Sequence, residues 1–443
     1  MREEGHERRV DGHVWRPGTI TRRRFVGVGA ASVAAAGALG AAMLVPSPWR
    51  PAFGQEKPIK VGGIQPLTGP AAGGGLMAKV GQEVAAERIN AAGGVNGRPI
   101  ELIVEDSEGK PAAGIRKTRK LLTRDRIDVG QGGFMSNVCI ACIPEYRRAR
   151  IVNMIGVCLD TTITTSHCDR YTFRPFDFAP AQAVAFSPYL VNSIGKKWHI
   201  LFADYAWGQS TRDAYREGIE SQGGEVVGTT GIPLGTADMV PFLSKIRGDF
   251  DGLFMIFFGK DGVNIVTQAY NLGLHNKYRF AGDGAAVVAG TNLPAQKEKA
   301  LGFVGIDRYL PIFEGPLDTE HHRKFFDAVF EHSRKYDPNG ILPDRYSQSN
   351  FEALNVLKVG MEACDFRGRE DTDKLIEALE GLQVYAGDDF PTGDKLLRKA
   401  DHQAFTNEYI FEVVQGDGDT YQPSVLQVVP WQDTIVPPAC QFA

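Results

Sequence analysis

Residues 89–122 read INAAGGVNGRPIELIVEDSEGKPAAGIRKTRKLL, and this stretch alternates between helix and strand signals. Gly93 and Gly94 favour a helix end, because a residue without Cβ readily takes a positive φ. The apolar run at 102–104 predicts a strand that is covered on both faces, as in parallel sheets. A second helix is predicted around residues 115–122. The stretch therefore predicts one helix–strand–helix unit of an α/β fold.

The same alternation continues on both sides of this stretch. Short apolar runs predict strands, and longer amphipathic stretches predict helices. Further strands are predicted at 59–64, 127–130, 151–155, 199–203, 252–258 and 278–281, and further helices at 77–90, 143–148, 210–220 and 264–271. The pattern breaks near residues 171–175 and then restarts. It predicts two doubly wound parallel α/β lobes with a ligand cleft at the carboxyl ends of their strands.

The N-terminal residues contain two competing signals. Residues 27–32 read GVGAAS, close to a dinucleotide-binding loop, but no strand precedes them and no acidic residue follows at the required distance. A dehydrogenase is therefore rejected. Three arginines at 22–24, an uncharged apolar region and small residues near Gly54 predict a twin-arginine-type signal peptide over residues 1–54. The alanine and glycine content makes an uncleaved anchor a poor membrane span. We expect cleavage after Gly54 and a periplasmic protein.

Composition excludes several classes of partner and chemistry. Residues 1–54 hold eight of the chain's 49 Lys and Arg and four of its 53 Asp and Glu, which leaves 41 basic and 49 acidic residues. A net charge of −8 argues against a nucleic-acid partner.

The sequence also lacks common catalytic motifs. It has no phosphate-binding G-K-[ST] and no H-E-x-x-H zinc motif, and residues 208–210 lack the second glycine of a nucleophile elbow. We expect no enzyme activity, no cofactor and no bound metal.

Six cysteines in an oxidising compartment favour disulfides. Cys158 and Cys168 flank a polar loop, and Cys364 could hold the C-terminal tail through Cys440. Spacing alone does not fix either pairing. A zinc site is not expected at the C-x-x-C of residues 139–142, because a second such pair is missing. The alternatives for these two cysteines are a redox motif and buried packing.

Four stretches together resemble one known family: IKVGGIQPLTGPAAGGG, the segment at 89–122, YAWGQSTRDAYREGIESQGGEVVGTTGIPLGTADMVPFLSKI and QAYNLGLHNKYRFAGDG. They are similar to the branched-chain amino acid binding proteins, type I periplasmic binding proteins that serve ABC importers. The resemblance covers essentially the whole chain after the signal peptide. It implies three crossings between the lobes, with lobe 1 at 55–174 plus 306–390 and lobe 2 at 175–305 plus 391–443.

The resemblance also implies how a ligand is held. In the family, a serine hydroxyl and backbone amides bind the ligand carboxylate where a strand leads into a helix, which corresponds to Ser136 and Asn137. The alternative is that Ser136 only caps the helix. The groups near the ligand amine correspond to Cys158, Asp160 and, from lobe 2, Asp283. Asp160 departs from the family's small hydroxyl residue, so it either attracts an ammonium group or caps the following turn.

The remaining site positions concern the side chain of the ligand. The family's aromatic residues correspond to Trp207 and Phe258, although a strand residue such as Phe258 is as readily explained by core packing. Gly74 stands where relatives carry an aromatic wall, which predicts a roomier pocket, and Tyr346 is expected near the cleft.

Partners and ligand follow from the same resemblance. We expect a small-molecule solute, most simply a branched-chain, hydrophobic or aromatic amino acid, delivered by a monomer to an ABC permease and its ATPase. Contact with the membrane is expected only through the permease. The alternatives are an aromatic acid, an amide or urea as ligand, or a role as a ligand sensor.

Overall fold

A computed structural model describes residues 57–288, 290, 292–440 and 442. The predicted signal peptide lies outside the described residues. Strands and helices are numbered in chain order. The strands are β1 Ile59–Gln65, β2 Ile100–Asp106, β3 Val129–Gly132, β4 Asn153–Ile155, β5 Thr172–Phe173, β6 Lys197–Ala203, β7 Glu225–Ile232, β8 Gly252–Ile256, β9 Arg279–Asp283, β10 Val304–Asp307, β11 Gln383–Val384, β12 Lys395–Leu397, β13 Ala404–Phe405, β14 Glu408–Gln415 and β15 Tyr421–Val429.

The α-helices alternate with these strands. They are α1 Ala72–Ala91, α2 Pro111–Lys120, α3 Ser136–Ala149, α4 Ala179–Tyr189, α5 Ala206–Ser221, α6 Val240–Leu243, α7 Gly259–Asn271, α8 Asn292–Gln296, α9 Glu320–Ser333, α10 Arg345–Ala363 and α11 Thr372–Leu379. In the part of the chain that is described, none of them has the length and apolar character that crossing a membrane requires.

Two large sheets form the framework. The first sheet has the order β2-β1-β3-β4-β5 and is parallel throughout. The second has the order β15-β14-β10-β9-β8-β6-β7; its strands β6 to β10 are parallel, and β14 and β15 are antiparallel. Helices cover both sheets, so inner strands such as β3, β8 and β10 are buried on both faces. The edge strands β2, β7 and β15 are only partly buried, so the expectation that residues 102–104 are covered on both faces is wrong. The predicted fold class, two doubly wound α/β lobes, is confirmed.

The chain passes between the large sheets three times: after β5, after β10 and before β14. Between the second and third passages, α10 packs against α1 and against β3 and β4 of the first sheet. The short strands β11, β12 and β13 form a separate antiparallel sheet. The passages bring the carboxyl ends of both sets of parallel strands to one cleft, which is where such sheets bind ligands.

The start of α10, which lies at this cleft, is determined by its local sequence. The Asp344 carboxylate accepts hydrogen bonds from the backbone N–H groups of Tyr346 and Ser347, both at 3.0 Å, and the Ser347 hydroxyl accepts from the Asp344 N–H. This is a capping box, which satisfies N–H groups that a helix start otherwise leaves unpaired. It holds Arg345 and Tyr346 in the first turn of α10, at the cleft.

The cysteine pairing differs from the predicted one. The disulfides join Cys139 to Cys158, with Cα atoms 6.8 Å apart, and Cys168 to Cys440, with Cα atoms 5.9 Å apart. Pairing of Cys158 with Cys168, or of Cys364 with Cys440, is therefore wrong. The reason is topological: β3 and β4 are neighbours, so α3 after β3 faces the loop after β4. Cys142 and Cys364 are free.

Candidate functional site

A cavity lies at the carboxyl ends of the strands of both large sheets. Its lining comes from the segments that follow β3, β4, β6, β8 and β9 and from the first turn of α10. The lining residues are Phe134, Ser136, Val157, Leu159, Tyr205, Trp207, Phe258, Ala285, Arg345 and Tyr346. The structure thus brings four of the predicted site residues, Ser136, Trp207, Phe258 and Tyr346, to one cavity.

Five of the ten residues that line the cavity are aromatic. Phe134 contacts Tyr346 at 4.7 Å and Phe258 at 5.8 Å between ring centroids. Phe258 in turn lies 5.8 Å from Trp207 and 6.3 Å from Tyr205. These tilted contacts are the favourable arrangement for aromatic pairs. The rings come from segments of both large sheets, so a planar apolar ligand would touch both sides of the cleft.

The polar groups of the cavity are few. Ser136 is the first residue of α3 and is buried; the helix cap is Met135, which makes no side-chain capping bond, so Ser136 is not a plain cap. Next to it, the Asn137 side-chain oxygen has no hydrogen-bond partner among the described residues, and the same holds for the Trp207 indole nitrogen. A helix start with unpaired N–H groups and a hydroxyl is suited to a carboxylate.

Two tyrosine hydroxyls add neutral donors. Burial, and next the neighbouring tyrosine, raises the pKa of Tyr205 well above its usual range. Burial also raises the pKa of Tyr346, and this effect outweighs the opposing influence of Arg345. Both phenols are therefore protonated at neutral pH and can donate or accept a hydrogen bond.

Arg345 is the one cation among the residues that line the cavity, and it is fully engaged by carboxylates. Its Nη1 donates to Asp283 Oδ1 at 2.7 Å, and its Nε lies 2.9 Å from both carboxylate oxygens of Asp307. Its Nη2 is 2.8 Å from Asp307 Oδ2. Burial disfavours the guanidinium charge, but Asp283 and Asp307 together raise the pKa of Arg345 well above its usual range.

Asp283 does not line the cavity. It is fully buried at the end of β9, where its Oδ1 accepts from Arg345 and from the Ala285 N–H at 2.8 Å. Its Oδ2 has no hydrogen-bond partner in the described ranges. The cation beside Asp283 is thus a side chain of the protein.

The two first-lobe groups predicted to face a ligand amine are also engaged internally. The buried Arg174 donates to the carbonyl oxygens of Cys158 at 3.1 Å and of Asp160 at 2.7 Å. The Asp160 carboxylate accepts from the Thr162 N–H at 2.7 Å and caps the short 3₁₀ turn Thr161–Thr164. Of the two alternatives for Asp160, the structure shows the second: the carboxylate caps the turn that follows it. Cys158 lies in its disulfide between the lining residues Val157 and Leu159.

The space beside Gly74 is occupied by the rings of Phe134 and Tyr346 rather than left for a ligand. A Cβ atom at Gly74 would lie 2.4 Å from Phe134 Cζ and 3.2 Å from Tyr346 Cε2. The aromatic wall that relatives place at this position is therefore supplied by Phe134, and the space beside Gly74 is already filled.

Sequence reasoning missed several lining residues. Phe134 and Tyr205 both follow the carboxyl end of a predicted strand, which is a usable signal for a cleft position. Arg345 carried no such signal, because a charged residue at a helix start usually faces solvent. Within the described residues, no group of three or more His, Cys, Asp or Glu side chains is arranged to hold a metal ion.

Comparison with known proteins agrees with this architecture. The sequence model of a family described as periplasmic binding protein matches residues 58–419. This chain belongs to the periplasmic binding protein family. Its fold and family are those of solute-binding proteins rather than of enzymes, and the family places it in the periplasm.

Individual relatives of this periplasmic binding protein are distant. Leu/Ile/Val-binding protein homolog 4 of Brucella abortus is 24% identical over 421 residues, which cover 89% of this chain and 91% of the relative. An ABC transporter substrate-binding protein from Sphaerobacter thermophilus is 26% identical, with a TM-score of 0.74, and the match covers 84% of this chain and 98% of that one. A solute-binding protein from R. palustris in complex with 4-hydroxybenzoate is 19% identical, with a TM-score of 0.75 and coverage of 85% and 98%.

Proposed function

We propose that this periplasmic binding protein captures an apolar carboxylate, preferably an aromatic acid, and does not require an amino group on it. The observation that carries the proposal is the engagement of the predicted amine site by two arginines. Arg345 occupies one oxygen of Asp283, and Arg174 occupies the carbonyls of Cys158 and Asp160. An ammonium group placed there would have to replace hydrogen bonds that the protein already makes.

Energetics favour an acid without an amine. Burying an ammonium group without a matched acceptor costs several kcal/mol. A carboxylate at the start of α3 would instead meet Ser136 and free backbone N–H groups, and hydrogen bonds to a charged group contribute roughly 1.5–3 kcal/mol each. The five rings supply the apolar contact. The R. palustris neighbour, whose printed ligand is 4-hydroxybenzoate, makes aromatic acids a natural first choice for screening.

A second candidate is a hydrophobic or aromatic amino acid. It is favoured by one observation, the buried Asp283 Oδ2 that has no partner among the described residues. The name of the Brucella abortus relative also refers to leucine, isoleucine and valine. A ligand ammonium that reached this oxygen would complete the hydrogen bonding of Asp283.

We further propose that the protein delivers its ligand as a monomer to an ABC permease and ATPase after twin-arginine export. The Sphaerobacter thermophilus neighbour is named as a substrate-binding protein of such a transporter. A sensor role would use the same fold, and genes beside this one separate the two: permease and ATPase genes favour transport, whereas a kinase or chemoreceptor gene favours sensing.

The lobe limits are also a proposal. We infer that lobe 1 comprises residues 57–174 with about 310–405 and that lobe 2 comprises the segments between and after them. β12 and β13 form one sheet with β11, which supports a third crossing that lies later in the chain than residue 391. β10 pairs with β9 of the second large sheet, which supports a second crossing that lies later than residue 306. Domain-wise proteolysis of the purified protein would test these limits.

A thermal-shift screen tests the ligand class. It compares benzoate, 4-hydroxybenzoate, 3-phenylpropanoate and 4-methylpentanoate with phenylalanine, leucine and urea. A ligand at 100 times its Kd stabilises the folded protein by about 2.7 kcal/mol, which is easily detected. We expect the acids to raise the Tm and the amino acids to have little effect. Ser136→Ala should reduce the shift if the acid binds in the cleft. Stabilisation by amino acids alone would reject the proposal.

A further inference from the structure

The buried ion pairs of Arg345 cross the cleft. Arg345 begins α10, which packs on the first large sheet, whereas Asp283 and Asp307 end the adjacent strands β9 and β10 of the second. All three side chains are at most 1% exposed. We call Arg345, Asp283 and Asp307 the cleft cluster.

The geometry of the cleft cluster is that of a strong contact. The guanidinium uses Nε, Nη1 and Nη2 on the two carboxylates, and Nη2 also lies 3.3 Å from the Ile306 carbonyl oxygen. Arginine suits such a site because its planar donors match carboxylates in fixed directions. The cluster holds two carboxylates at neighbouring strand ends, so without the guanidinium a closed cleft would bury two like charges together.

We propose that Arg345 is the ionic latch of the cleft, which holds the lobes together through Asp283 and Asp307 and so sets the balance between open and closed protein. The proposal rests on the solute-binding role and not on the ligand class. A ligand then enters only when the latch opens, and the same contact slows its release.

Two further contacts between the sides of the cleft are neutral. The Ser210 hydroxyl of α5 accepts from the Thr161 N–H at 2.9 Å and donates to the Thr161 hydroxyl at 2.8 Å. At the rim, Gly235 lies next to Pro70, so that a Cβ atom added to Gly235 would be 3.6 Å from Pro70 Cγ. Such contacts position the lobes but carry no charge that must be neutralised on closure. Loss of the guanidinium should therefore open the cleft far more than loss of a neutral contact.

The test measures the distance between the lobes in protein without added solute. Spin labels are attached at Lys110→Cys and Ala237→Cys, two exposed rim positions, in a Cys364→Ser background, and their distance distribution is recorded by pulsed electron paramagnetic resonance. Arg345→Met is expected to shift the ratio of open to closed protein by at least about tenfold. Asp307→Asn, which leaves Arg345 paired with Asp283, should shift it in the same direction by less.

A matched control and a neutral triple variant make the test specific. Glu352→Gln breaks the buried pair of Glu352 with Lys395, at 2.7 Å, which does not involve the second large sheet, and should leave the label distance unchanged. Combining Arg345→Met with Asp283→Asn and Asp307→Asn removes the buried like charges as well as the ionic contact, so the longer distance should persist.

The outcomes decide the proposal. Longer distances in Arg345→Met and Asp307→Asn that persist in the neutral triple variant support the latch, whereas a short distance in the triple variant would show that buried like charges, and not the lost contact, open the cleft. An unchanged distribution in both single variants overturns it. Where Arg345→Met does not yield folded protein, Asp307→Asn decides alone. Because no ligand is present, failure of the latch is distinct from failure of the proposed ligand class.

Discussion

The protein contains a second buried arginine cluster, and its differences from the cleft cluster are informative. Arg308 follows β10, where it pairs with Asp177 at 2.9 Å and donates to the Ser349 hydroxyl at 2.8 Å. Glu408, at the start of β14, lies beside Asp177 and is also fully buried. We call Asp177, Arg308 and Glu408 the hinge cluster, because each belongs to a different one of the three passages between the large sheets.

The arginines of the two clusters differ in how many of their nitrogens have hydrogen-bond acceptors. Arg345 directs all its nitrogens at acceptors, whereas Arg308 Nη2 has no partner in the part of the chain that is described. The cleft cluster joins groups that separate when the lobes open. The hinge cluster joins three connecting segments that stay together in either state. We therefore expect the first to govern conformation and the second to govern stability.

The largest predicted effect is on Arg308. Arg308→Met leaves Asp177 buried without its cation, and removing one partner of a buried pair typically costs about 3–5 kcal/mol. The free energy of unfolding, measured in urea, should fall by that amount. Arg170→Met, which breaks an exposed pair with Asp373, should change it by less than about 1 kcal/mol. A loss no larger than that of the control would show that the hinge cluster does not stabilise the fold.

A smaller loss of stability is predicted for Arg345→Met. Opening of the cleft lets Asp283 and Asp307 regain water, so their charges need not stay buried in the folded protein. The same urea titration should give a smaller decrease than Arg308→Met gives. Equal losses in the two variants would remove the distinction between a cluster that opens and one that does not.

The smallest effect concerns pH and Glu408. Burial, and next the Asp177 carboxylate, raises the pKa of Glu408 well above its usual range. A group with a raised pKa contributes stability that is complete below its unfolded pKa and is lost as the pH rises towards its folded pKa. Glutamine does not titrate, so Glu408→Gln removes this loss of stability at rising pH. The variant should gain stability relative to the parent between pH 5 and pH 8, as followed by thermal unfolding, and a constant difference would contradict the assignment.

The sequence predicted the fold better than the polar contacts of the site. The run at residues 252–258 identifies a parallel strand because both faces of β8 are buried. The run at 102–104 also forms a parallel strand, but it lies in the edge strand β2 and is only partly buried. β7 was missed because its glycines and threonines break the apolar run, and β14 and β15 lie outside the strand–helix alternation. The pairing of Cys139 with Cys158 depends on the adjacency of β3 and β4, which spacing along the chain does not reveal.

For the site residues too, the sequence predicted position better than polar contacts. Ser136, Trp207 and Phe258 are placed at the cleft by the family resemblance, and in the structure each follows the end of a strand. What Asp283 contacts could not be predicted, since its partner Arg345 is 62 residues away and begins a helix on the other side of the cleft. Long-range ion pairs depend on topology, and they decide which groups remain free for a ligand.

Calorimetric titration of a matched ligand pair, 3-phenylpropanoate and L-phenylalanine, tests most directly whether the cleft takes a carboxylate without an amine. The two differ in the ammonium group alone, and each is titrated into the parent protein and into Asp283→Asn. We predict that the acid binds the parent at least about tenfold more tightly, a difference of about 1.4 kcal/mol, and that Asp283→Asn changes this preference little. Tighter binding of phenylalanine that is lost in Asp283→Asn would contradict the account and assign Asp283 Oδ2 to a ligand ammonium.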